Sequence, residues 1–165
     1  MDGDFVALRN IRTDDDEILR KNSREVKEIN EKIITLLNDM IETMNENNGC
    51  GLAAPQVGVL KRIAIVDVGD GIVELINPYI IKESGEQKEV EGCLSLPGIF
   101  GEVKRPKKVK VEALNRDGEK VTIKADDMFA RAICHEVDHL NGILFKDKVI
   151  KYIDCKGQDK KEGEL

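Results

Sequence analysis

The sequence predicts an α+β fold, with mostly antiparallel β-sheets around a central second helix and a long N-terminal helix packed outside. Apolar residues recur at three- and four-residue steps between Val26 and Met44, the period of one helix face. Positions 62–125 hold short β-rich runs separated by turn residues. A second helical segment then places its two histidines opposite an apolar face.

Taken in order, Ser23 caps the first helix, which ends near Asn48 with Gly49 as its stop. Its stripe (Val26, Ile29, Ile33, Leu36, Leu37, Met40, Ile41, Met44) is read as core packing. The β-runs are 63–67, 72–76, 79–82, 109–114 and 121–124, divided by Asn77-Pro78, Gly85, Gly101 and Asp117-Gly118. Val109, Val111 and Ala113 alternate with Lys110, Glu112 and Leu114, which predicts a half-buried strand, followed by a hairpin turn over 115–119. The second helix opens at Asp126 or Asp127 and stops before Gly142, with Phe129, Ile133, Val137 and Leu140 on its packing face. Residues 1–155 are expected to form a single domain, and 156–165 a flexible polar tail.

Composition narrows the function classes. A 165-residue chain is the size of one domain and can bury roughly 70% of its unfolded surface. With 41% hydrophobic and 35% charged residues it is not a disordered polymer. No apolar run reaches the ~18–20 residues of a membrane span, so no membrane partner is expected. The first ten residues lack a secretory pattern, which predicts a cytoplasmic protein with reduced cysteines. A net charge of −6 argues against a broad nucleic-acid face and against specific DNA binding. The basic run 104–108 (KRPKK) is read first as a solvated strand edge or turn.

The sharpest chemical signal is His135-Glu136-Val137-Asp138-His139. Helix positions four apart stack, so both imidazoles can reach one metal ion, and the chain has no other histidine. Glu136 sits beside that ion, where it can take a proton from water. Asp138 either orients an imidazole or is an exposed helix carboxylate. A catalytic site of this type wants a third protein ligand, and no histidine follows. A thiolate is the strongest remaining candidate: Cys93 in EGCLSLP, with Cys50 and Cys134 open as alternatives. The loop Gly49-Cys50-Gly51-Leu52-Ala53-Ala54-Pro55-Gln56 allows close backbone approach, and Gln56 offers an amide donor for a developing oxyanion.

Together, GCGLAAPQ at 49–56, EGCLS at 91–95 and HEVDH at 135–139 resemble the three motifs of the peptide deformylase family, in the family's order. The resemblance implies that Cys93, His135 and His139 bind the metal and that Glu136 is general base, then acid. It implies that Gln56 and the Leu94 backbone N–H hold the formyl oxygen. Gly49, Cys50, Gly51, Met128, Arg131 and Ala132, with the strand at 89–91 including Glu91, would lie near a methionine pocket. The implied cofactor is one divalent ion per chain, Fe2+ in the cell, with Ni2+, Co2+ or Zn2+ also accepted. The implied partners are formyl-methionyl nascent peptides, with transient ribosome contact, and the protein is expected to be a monomer. Cys134 stands where the family often has Gln, which suggests oxidative sensitivity. Two other readings compete. One is an HExxH zinc endopeptidase with a Cys ligand. The other is a non-catalytic domain whose closed zinc site adds Cys50 or Cys134 as fourth ligand.

Overall fold

The computed structural model describes residues 6–154. Two helices and eight strands follow one another as α1 (Glu31–Glu46), β1 (Gly51–Ala53), β2 (Ile63–Val66), β3 (Val73–Ser84), β4 (Gln87–Cys93), β5 (Leu96–Arg105), β6 (Lys108–Leu114), β7 (Lys120–Asp126), α2 (Asp127–Leu140) and β8 (Val149–Ile153). Short 3-10 turns lie at Glu17–Arg20, Ala54–Val57 and Phe145–Lys148. Strands β1-β2-β3-β6-β7 form one sheet and β4-β5-β8 another, with every pairing antiparallel. No helix among the described residues is long and apolar enough to cross a membrane.

The first helix begins later than its stripe suggests. Asn30 is the cap, accepting from the Ile33 N–H, and Ser23 is not. The chain before it is held extended instead. Asn77 accepts from the Val26 N–H at 2.8 Å and donates to the Val26 carbonyl at 2.9 Å, while Arg24 bridges Lys61. A side-chain clamp from a distant strand thus overrides local helical periodicity. The helix ends at Asn47, just before Gly49.

Asn77-Pro78 does not separate two strands. Both residues lie inside β3, where the register with β6 shifts between Ile76 and Tyr79 and Asn77 adopts φ 51°. Gly101, read as punctuation, lies in β5 opposite Glu91. A Cβ there would fall 2.6 Å from Val149 Cγ1 of β8, so the glycine permits close strand packing. The β6–β7 hairpin has the expected alternation: Val109, Val111 and Ala113 point inward, and Asn115 organises the turn by accepting from the Asp117 and Glu119 N–H groups. The tail 156–165 and Cys155 lie outside the described residues.

Three apolar clusters hold the elements. Ala130, Ile133 and Val137 of α2 pack on Val109, Val111 and Ala113. Ile33, Leu37, Met40 and Met44 of α1 pack on Leu52, Ile63 and Ile65. Leu19, Leu96, Val103, Leu144 and Phe145 close the second sheet. Helix α2 therefore has an apolar side on the large sheet, and its histidines turn toward the small one, where the His135 ring stacks on Phe145 at 5.9 Å.

Candidate metal centre

Cys93 ends β4, where pairing with β5 is irregular and the chain turns through Leu94 and Ser95. That turn carries the thiol toward α2. Ligand atoms of Cys93, His135 and His139 all lie within 4.8 Å of one another, and Cys93 Sγ is 3.3 Å from His139 Nε2. Tetrahedral bonds of ~2.1–2.3 Å place ligand atoms about 3.5 Å apart, so this donor set fits one ion. Cys50 and Cys134 stay out of the cluster.

The support for the imidazoles is unequal. Glu91 Oε1 accepts from His135 Nδ1 at 2.8 Å, which leaves Nε2 for the ion. His139 Nδ1 is buried with no partner. Glu91 is itself pinned by Arg105 Nε and Nη2, both at 2.8 Å, and by Arg131 Nη1. Burial opposes its charge, but Arg105 and His135 hold the carboxyl well below the usual range. Arg105 continues to Asp138 at 2.6 Å, and Asp138 also pairs with Lys148 at 2.9 Å. Asp138 thus neither orients an imidazole nor stands free, because two cations reach it first.

Arg105 is the main residue the sequence reading missed. It belongs to the run 104–108, yet its side chain is 2% exposed. The run is therefore not uniformly a solvated edge: paired carboxylates draw this guanidinium into the interior. A basic residue in strand alternation between Val103 and Val109 was the only available signal.

Glu136 is buried and makes no ion pair among the described residues. Its Oε1 has no hydrogen-bond partner, and burial pushes the carboxyl up to about 7 against the pull of His135. A Cβ on Gly51 would lie 2.3 Å from Glu136 Oε2, so only glycine leaves room for this carboxylate. Gln56 Oε1 accepts from the Ala53 N–H at 2.9 Å, which fixes the amide's orientation. Its Nε2 then points at Ser95 Oγ (3.0 Å) and Cys93 Sγ (3.5 Å). Ser95, fully buried, was not singled out from sequence.

A cavity of about 570 Å³ opens over these groups. Gly49, Cys50, Gly51, Gln56, Glu91, Cys93, Leu94, Met128, Arg131, Ala132, His135 and Glu136 all line it, while His139 lies behind. The sequence reading thus assembles in one place, with differences of role. The Arg131 guanidinium is tied to Glu91 and to the Val103 carbonyl. The Glu91 carboxylate faces inward to the network described above. Val90, within the strand expected at 89–91, and Phe100, unnoticed in sequence, join Met128 as exposed apolar side chains at the rim. Cys134 packs in the α2 core, and burial pushes its thiol up to about 11, so the expected oxidative sensitivity finds no reactive thiolate there.

Residues 8–154 match the family model described as polypeptide deformylase. The chain is 63% identical over 149 residues to a peptide deformylase of Acetivibrio thermocellus, covering 90% of this chain and 88% of that protein. It is 64% identical over 146 residues to one from Alkaliphilus metalliredigens, covering 88% and 99%. The crystal structure of the peptide deformylase from Thermotoga maritima superposes with TM-score 0.85 at 42% identity, covering 87% of this chain and 98% of that one. The Ehrlichia chaffeensis enzyme, solved in complex with actinonin, gives TM-score 0.86 at 40% identity, covering 87% and 90%.

Proposed function

The chain belongs to the polypeptide deformylase family, and on that premise we propose that it releases formate from the N-terminal formyl-methionine of nascent polypeptides. The carrying observation is the convergence of one thiol and two imidazoles beside a buried carboxylate oxygen that lacks a partner. Residues 1–155 act as a single catalytic domain in the cytoplasm, built around α2 as the metal-binding helix with α1 packed outside.

Cys93, His135 and His139 hold one divalent ion, ferrous iron in the cell, with nickel, cobalt or zinc accepted in its place. The ion supplies Lewis acidity that brings the pKa of a water towards ~7. Glu136 takes the proton as the water oxygen bonds to the formyl carbon, then delivers it to the amine nitrogen as the C–N bond breaks. Gln56 Nε2 and the Leu94 N–H donate to the formyl oxygen as negative charge gathers there. Gly49 and Gly51 let the loop backbone close in on Leu94 and Glu136: a Cβ on Gly49 would lie 2.8 Å from Leu94 Cδ1. A formyl group fits where a larger acyl group clashes. Cys50, Met128, Arg131 and Ala132, with the strand around Glu91, border the space for the methionine side chain.

The test is formate release from a formyl-methionyl tripeptide by protein loaded anaerobically with ferrous iron or nickel, with Glu136→Ala as control. Release that disappears in the variant supports the reading. Absence of release at one metal per chain refutes it, and cleavage of unformylated peptide would favour the endopeptidase reading.

A further inference from the structure

The two oxyanion donors proposed above sit on separate elements. Gln56 lies in the 3-10 turn Ala54–Val57, and Leu94 lies in the turn between β4 and β5. Their spacing must be held if both N–H groups are to reach one oxygen. The Gln56 backbone is tied through its carbonyl, which accepts from the Arg12 N–H at 2.7 Å. Its side chain is tied twice. The Ala53 N–H can only donate, so the amide atom 2.9 Å from it is Oε1, and the amide cannot be reversed. Nε2 then donates one hydrogen to Ser95 Oγ at 3.0 Å.

Ser95 follows Leu94 in the turn and is fully buried. A buried hydroxyl costs stability unless it is hydrogen-bonded, and alanine would occupy the position without that cost. The bond this hydroxyl makes is with Gln56. An amide nitrogen carries two hydrogens in the plane of the group. With Oε1 held by Ala53 and one hydrogen held by Ser95, the other has a single direction left. It is turned to the side of Cys93 Sγ, 3.5 Å away, where the metal-binding side chains converge. Ser95 is not among the residues that line the cavity, so any effect it has on the reaction passes through its neighbours.

We propose that Ser95 is a positioning residue for deformylation. Its hydroxyl takes one amide hydrogen of Gln56 and so aims the other at the formyl oxygen. The same bond staples the Gln56 turn to the Leu94 turn, across 39 residues of chain, and keeps the two donors at a fixed spacing. The inference rests on the deformylase reading and adds to it a residue that need not touch substrate.

The test measures kcat and KM for formate release from a formyl-methionyl tripeptide by nickel-loaded full chain. Ser95→Ala should lower kcat ~10-fold, a part of the ~100–1,000-fold that loss of a whole oxyanion donor costs, and leave KM within ~2-fold. In a Gln56→Ala background the same change should cost less than ~2-fold, because the group it positions is gone. A merely structural role would lower kcat by the same factor in both backgrounds, and that result overturns the proposal. So does an unchanged kcat in Ser95→Ala. If Ser95→Ala fails to fold, Ser95→Gly, which a turn accepts, takes its place with the same expectations. A further measurement needs no Ser95 variant. In zinc-loaded, 15N-labelled wild type the Gln56 side-chain amide, assigned by its loss in Gln56→Ala, should exchange its hydrogens with solvent at least ~10-fold more slowly than surface glutamines. Exchange at the surface rate overturns the proposal. Formate release by wild type with kcat unchanged in Ser95→Ala defeats this proposal alone. Absence of release from wild type at one metal per chain removes the deformylase reading, and the exchange rate then still decides whether Ser95 holds the amide.

Discussion

Two charged regions of the molecule are built on opposite plans. Beneath α2, Glu91, Arg105, Arg131 and Asp138 are buried or nearly so, and each charge meets an opposite one within hydrogen-bond distance. On the outer sheet face, Lys82, Lys110 and Lys124 stand opposite one another across three strands, and none makes an ion pair among the described residues. The first arrangement offsets desolvation with geometry and transmits rigidity to His135. The second leaves its charge to solvent. Position in the fold, not residue type, separates a buried, paired cation from a solvated one.

That contrast is sharpest where a network partner is removed. Arg105→Ala takes one cation from Glu91 and one from Asp138, leaving them Arg131 and Lys148, and should cost about 3 kcal/mol in denaturant unfolding of the metal-free protein, the low end for breaking a buried pair. A loss below about 1 kcal/mol would erase the distinction between the regions. Glu91→Gln keeps the shape but weakens the partner of His135 Nδ1. It should lower metal affinity ~10–100-fold, read by competition with a chromophoric chelator. On the outer face, Lys110→Gln relieves two like-charge contacts and should shift stability by no more than ~0.5 kcal/mol, upward.

The smallest effect belongs to the exposed pair Arg20–Asp147. Asp147 is held below its ordinary value first by the Arg20 hydrogen bond and also by the Leu144 N–H. A depressed folded-state value means its stabilisation is present above the unfolded value near ~4 and is lost as pH falls through the folded one. Asp147→Asn should therefore cost well under ~1 kcal/mol at neutral pH, with the difference from wild type closing below about pH 4, as thermal melts across pH would record.

Much of the fold was legible because periodicity survives burial on one side. The inward alternation of Val109, Val111 and Ala113 marked β6, and the apolar face of α2 marked the helix. Strand β4 was seen only through family resemblance, and β5 and β8 not at all. β4 is polar along most of its length and β5 carries Pro97, Gly98 and Gly101, so neither shows an alternation to read. The start of α1 was misplaced because Asn77 clamps Val26 from 51 residues away. At the site, motif residues converged on one cavity because each motif holds its chemistry locally. Arg105 and Ser95 escaped notice because their partners are distant in the chain. Arg105 meets Asp138 across 33 residues, and Ser95 meets Gln56 across 39.

The central claim is a three-ligand site with an adjacent base that does not ligate. Anaerobic titration of metal-free protein with Co2+, followed by absorption spectroscopy, tests it most directly. The account predicts saturation at one ion per chain, with tetrahedral bands and a thiolate-to-metal band. That band should vanish in Cys93→Ser and persist in Glu136→Ala and Cys50→Ser. Loss of the band in Cys50→Ser, or its persistence in Cys93→Ser, would contradict the account.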